Sequence, residues 1–150
     1  MRTKKHRVTP QMTAAGILLT AVGLALIVLL HSRGGVLSAH YNVTTTDGRV
    51  SYLDALGWEV DSESETVQEI TLPREFNGIF EDYNELQRQQ GFDLRPYAGL
   101  GCTVYSYQVT NYPNADGPVL AQLYLYQNRV IAGDIHATAL DGFMHGIRKE

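Results

Sequence analysis

From Ala14 to Leu30 the chain reads AAGILLTAVGLALIVLL, seventeen residues in which Thr20 is the one side chain that is not apolar. A helix crosses the hydrocarbon core of a bilayer with about 20 apolar residues, within a range of about 17–25. The Thr20 hydroxyl can bond back to its own helix, and a charge inside the run would be costly. The flanks differ. Arg2, Lys4, Lys5 and Arg7 precede the run, and only Arg33 follows it closely. Excess positive charge stays on the cytoplasmic side, so this asymmetry puts the N-terminus inside and the rest of the chain outside. The expected organisation is a basic cytoplasmic tail over 1–12, a transmembrane helix over 13–30, a linker over 31–46 and an extracytoplasmic domain over 47–150. A cleaved signal peptide is the rival reading. Its apolar region would be shorter, about 7–15 residues. The only cleavage sites on offer are weak, at Val36-Leu-Ser38 or Leu37-Ser-Ala39. Both readings export the domain.

The run also splits the charge. Residues 1–35 hold five basic residues and no acid, so the overall −4 resolves into a +5 head and a −9 body. A body of that sign disfavours DNA, RNA and anionic wall polymers as partners. A single cysteine, Cys102, excludes an internal disulfide, and without Cys-x-x-Cys it reads as a small buried residue. Asn42-Val-Thr44 fits a glycosylation sequon, but that pattern is short and common by chance, and the segment reads as a plain polar linker.

The body reads as α+β. A helix over Asp47–Leu56, capped by Thr46 or Asp47, should stop at Gly57. Trp58–Val60 and Thr66–Leu72 read as strands on either side of a turn, Asp61-Ser-Glu-Ser-Glu65. That acidic turn lacks the spacing of a calcium loop. A second helix is expected from Pro73 to Gln90, with Phe76, Ile79, Phe80, Tyr83 and Leu86 on its buried face and Gly91 closing it. Thr103–Asn111, Pro118–Tyr126 and Arg129–Leu140 complete an antiparallel sheet of about five strands. The last two join through a Gln127-Asn128 turn that pairs Tyr126 with Arg129, Leu125 with Val130 and Leu123 with Ala132. The expected fold is therefore two helices packed on that sheet, behind an N-terminal anchor.

Several segments together resemble a known family. They are Leu56-Gly-Trp-Glu-Val60, Tyr83-Asn-Glu-Leu-Gln87, Gln90-Gly-Phe-Asp-Leu94, Tyr105-Ser-Tyr107 with Asn111-Tyr-Pro113, Arg129-Val-Ile-Ala-Gly-Asp134, and Leu140-Asp-Gly-Phe-Met-His-Gly146. Over about residues 48–148 the chain resembles the domain-of-unknown-function family 4830 of small membrane-anchored bacterial proteins. The resemblance implies a Gram-positive source and a single N-terminal anchor. It implies no activity, so it transfers no functional residue.

Two groups of residues are candidates for a site. Asp134 and His136 sit two apart on one strand and share a side, which the register above makes that of Val130 and Ala132. With Asp141 and His145 they could form an acid–base or metal site if all four converge within about 5 Å, though no known metal spacing is present. Tyr105 and Tyr107 alternate on one strand, and Tyr124 and Tyr126 on another, which would suit a tyrosine-lined surface for a protein or envelope partner. The ordinary alternatives are a satisfied polar pair near the sheet's end and the strand preference of tyrosine. The sequence carries no nucleophile elbow, phosphate loop or dinucleotide fingerprint, so no catalytic residue, metal or cofactor is expected. The leading expectation is a membrane-tethered binding module without catalysis. The alternative is an envelope enzyme or metal binder built on the Asp/His group.

Overall fold

The computed structural model describes residues 40–149. The basic tail, the expected transmembrane segment and the first part of the linker lie outside the described residues. Among the described residues no helix is long and apolar enough to cross a membrane.

The elements run α1 (Thr46–Ala55), β1 (Val60–Thr71), α2 (Ile79–Gln89), a 3₁₀ turn (Arg95–Tyr97), β2 (Gly101–Val109), β3 (Val119–Tyr126), β4 (Arg129–Ala137) and β5 (Met144–Gly146). The five strands form one antiparallel meander in the order β1-β2-β3-β4-β5. Alternate residues of each strand face opposite sides, and each side carries a helix. On one, Tyr52 and Leu53 of α1 pack with Tyr107, Val109, Ala121, Leu123, Val130 and Ile135. On the other, Phe80 and Tyr83 of α2 pack with Leu72, Leu94, Cys102, Ile131 and Ala132. Cys102 is a core residue, and burial pushes its thiol pKa up, away from reactivity.

Part of the expected linker takes part in the core. Val43 is buried in the α1-side core, and its carbonyl accepts a hydrogen bond from Arg49 Nη1 at 2.9 Å. α1 is capped by Thr45, whose hydroxyl accepts from the Gly48 N–H, one residue before the expected cap. It stops at Gly57, whose φ of +90° suits glycine alone among the residues nearby.

Three expectations are corrected. The acidic segment Asp61–Glu65 is a bulge within one long strand, not a turn between two. Asp61 pairs with Gln108 and Thr66 with Ser106, so β1 carries three more residues than β2 over this interval. The Asp61 side chain accepts the Glu63 N–H, and Ser64 Oγ accepts the Gln108 N–H, which keeps the bulged strand on its partner. Next, α2 begins at Ile79 rather than Pro73, because Gly78 takes φ +50°, a conformation no helix interior holds. Phe76 still reaches the core from the lead-in, edge-on to Phe80, whereas Ile79 is 88% exposed. Finally, the β3–β4 turn has positive φ at both Gln127 and Asn128 and the expected first pairs, but the register shifts one step later. Leu125 pairs with Val130 and Tyr124 with Ala132, leaving Ile131 as an extra residue. This bulge puts Ala132, Asp134 and His136 on the α2 side, opposite Val130.

The buried face of α2 is polar. Asn84 and Gln87 are fully buried and Gln90 nearly so. The β4–β5 register would next pair Gly133 with Ile147, and the Gln90 amide stands between them instead. Its Nε2 donates to the Gly133 carbonyl at 2.8 Å, and its Oε1 accepts the Ile147 N–H at 2.8 Å. Gln87 Oε1 accepts the Gly133 N–H at 3.0 Å and the second Gln90 proton at 2.9 Å. A side-chain amide thus takes the place of a direct peptide pair. The approach needs Gly146, where a Cβ would lie 2.8 Å from Gln90 Oε1. Replacing Gln90 with Leu should orphan a buried carbonyl and a buried N–H and lower stability by about 2 kcal/mol or more, read as a shift in urea midpoint.

Candidate functional site

The sequence candidates do not gather in one place. Asp134, fully buried, accepts a hydrogen bond from the Tyr83 hydroxyl at 2.6 Å and lies 2.7 Å from His136 Nδ1. With Asp134 as a carboxylate, the imidazole proton sits on Nδ1. Burial, and then the charge of Asp134, holds the Tyr83 phenol well above its ordinary value, so it stays a neutral donor. These contacts tie α2 to β4. His145 belongs to the other side of the sheet, because it pairs with Ile135. Asp141 is exposed in the β4–β5 connection. Among the described residues no three His, Cys, Asp or Glu side chains are placed to hold a metal, so the four-residue Asp/His grouping does not form.

The tyrosines are divided as well. Tyr107 is buried on the α1 side, and Tyr105 lies beneath the Arg49 guanidinium, 3.6 Å from ring centroid to Cζ. Tyr124 and Tyr126 face the other way, against Tyr83 and Tyr97 at 5.7 and 5.3 Å. There is no common tyrosine surface, because both sides of the sheet are covered.

Tyr107 instead completes a buried ion pair. Arg49 Nε donates to the Tyr107 oxygen at 2.7 Å, and Nη2 donates to Glu65 at 2.8 Å. The Tyr107 hydroxyl donates to the same carboxylate. Arg49 is 3% exposed and Glu65 20%, so removing either partner would strand a charge. Burial alone would push the Glu65 carboxyl up. Bonds from Tyr107 and Arg49, with the Arg49 charge, outweigh it and hold the group below its ordinary value.

The open surface with site-like character lies at the β5 end. A groove of about 840 Å³ runs between α2 and β5, lined by Leu86, Gln89 and Gln90 on one flank and Trp58, Tyr112, Met144, His145, Arg148 and Lys149 around the rest. Four rings cluster there, Trp58, Tyr112 and His145 lining the groove and Phe143 packed behind Tyr112 and His145. Trp58 stacks on Tyr112 at 5.8 Å and 8°, Tyr112 on Phe143 at 4.7 Å and 16°, and Phe143 on His145 at 5.6 Å and 13°. His145 Nδ1 faces the Gly146 carbonyl at 2.8 Å, which can only accept. In the neutral imidazole Nε2 then accepts from the Tyr112 hydroxyl at 3.1 Å. The Trp58 indole donates to the Ile147 carbonyl, and the Lys149 ammonium sits 4.3 Å over its ring. Phe143 is 38% exposed and Met144 52%.

Of these, only His145 was a candidate from sequence. Trp58, Tyr112 and Phe143 are far apart along the chain, and no periodicity links them. The available signals were the lone tryptophan and the apolar Phe-Met pair that follows Asp141-Gly142.

Sheet, helices and groove define a small α+β domain with a lateral aromatic cleft. The chain belongs to the family described as Domain of unknown function 4830, whose model matches residues 52–135. That span holds Trp58, Tyr112 and the α2 flank of the groove, and ends before Phe143, Met144, His145 and the two cationic residues. No curated protein and no solved structure matches the chain significantly.

Because its folded-state pKa lies below the unfolded value near 4.3, Glu65 stabilises the fold fully above that pH, and the contribution is lost as pH falls through the folded value. The wild-type urea midpoint should therefore drop more steeply below about pH 5 than that of Glu65→Gln, which starts lower at pH 7. Parallel profiles would exclude Glu65 as the titrating group.

Proposed function

We propose that residues 40–149 form a non-catalytic binding module, held outside the cytoplasm by the apolar segment 13–30, that takes its partner in the groove between α2 and β5. The observation that carries the binding reading is the cluster of Trp58, Tyr112 and His145 rings in the groove, next to exposed Phe143 and Met144. Aromatic rings and methionine are the side chains that contribute most contact area at recognition surfaces for little conformational entropy. A structural role alone would favour burying Phe143 and Met144, and both remain open to solvent. The tether reading rests on the uncharged run and its basic flank, and it would raise the module's local concentration at the membrane surface.

Two measurements test these parts separately. A photo-crosslinking residue at position 144 of the full chain should trap a specific partner in intact membranes. Adding Phe143→Ala should weaken that product severalfold, while the same change at exposed Val67 leaves it alone. Equal loss from both positions would remove the groove from consideration. Protease added to whole cells or protoplasts should digest the domain; protection by an intact membrane would overturn the proposed orientation.

A further inference from the structure

Arg148 lines the groove, and its Nε and Nη2 atoms are buried without a hydrogen-bond partner. Those two atoms form the edge of a guanidinium that grips a carboxylate through two parallel bonds. The Tyr52 hydroxyl, also buried, is likewise without a partner. Burial pushes that phenol up to about 12, with the Arg148 charge pulling the other way, so the two groups sense one another. No Asp or Glu lines the groove, and residues 1–39 contain none. Arg49, on the same side of the sheet, is by contrast satisfied by Glu65, Tyr107 and the Val43 carbonyl. A charged fork with no acceptor carries a desolvation cost that an incoming anion would relieve.

The wall beside Arg148 offers main-chain partners. β5 is the last strand of the sheet. The Ala137 N–H donates to the Phe143 carbonyl, and Ile135 pairs with His145. By the alternation of antiparallel ladders, the N–H and C=O of Met144 therefore point away from β4, toward the open edge. An extended chain can add there as a further strand, with apolar side chains against Leu86 and Phe143.

Building on the groove reading above, we propose that the ligand is the C-terminal end of an extended peptide, laid along β5, with its free carboxylate held by Arg148. Because the Nε–Nη2 edge is closed to solvent, the guanidinium turns about its side-chain torsions to meet the carboxylate. It exchanges an unpartnered edge for two charge-assisted bonds. Lys149, over Trp58, adds a second positive charge at the same end.

The test uses the full chain in detergent micelles and two arrays of the same random hexapeptides, one with free C-termini and one amidated. Hits are then titrated in solution through Trp58, the chain's only tryptophan. Free-carboxylate peptides should bind at least about tenfold tighter than their amides. Arg148→Gln should erase that preference, and Arg148→Lys should keep part of it. Since the buried Nε–Nη2 edge has no hydrogen bond to lose and carries a desolvation cost, Arg148→Gln should unfold at or above the wild-type temperature; a marked fall would mean a structural role and overturn the assignment. Equal binding of both forms would overturn the carboxylate while leaving the groove in place. Acetate competing as well as the peptides would replace a chain end with any small organic acid. No binding to either array would overturn the peptide ligand, whereas loss of the position-144 crosslink on Phe143→Ala would still support the groove.

Discussion

The Gln90 amide, set between Gly133 and Ile147, is the contact on which the β5 end of the domain depends. β5 is three residues long, too short for its own ladder to secure it. The amide extends that ladder by one peptide equivalent, and Gln87 completes it from the previous turn of α2. Helix and strand are thereby held at a set separation, and the space left between them is the groove. Gly146 has no side chain for a related reason, since anything larger would push the amide out. The Ile147 carbonyl then receives the Trp58 indole, so the ring cluster is registered from the same point.

How much of this could be read from the chain follows from which forces leave a periodic trace. The β3–β4 hairpin was legible because Gln127-Asn128 tolerates positive φ at both positions and apolar residues alternate on either side. The bulge at Ile131 left no such trace. Val, Ile and Ala suit either face, and the slip is decided by which residues meet α2. The helix in front of Gly91 was legible as a helix, but its orientation was misjudged at Ile79. Hydrophobic spacing selects apolar residues, and here the inward positions include Asn84 and Gln87, whose burial is justified by hydrogen bonds to Asp93, Leu94, Gln90 and Gly133. Arg49 is similar. A charged residue in a ten-residue helix reads as solvent-facing, and its partners lie on β1 and β2.

Pair formation explains why the Asp/His group dispersed. Asp134 is satisfied within its own side of the sheet by Tyr83 and His136, and His145 by Tyr112 and the adjacent carbonyl. Each imidazole is therefore committed to a local contact. The three-dimensional site draws on residues from α2, the α1–β1 connection, the β2–β3 connection and the C-terminal stretch, which only the completed meander brings together.

The bulge in β1 also bears on what happens at the opposite edge. β1 is twelve residues long and ends the sheet, and a flat strand of that length would invite a second copy to pair with it. Three surplus residues interrupt its hydrogen-bonding rhythm, and Glu63 and Glu69 put negative charge along it. Two such edges brought together would meet out of register and with like charges opposed. One edge of this sheet is thus guarded against self-association while the other, at Met144, is left open, and copies crowded side by side can remain separate without blocking the cleft.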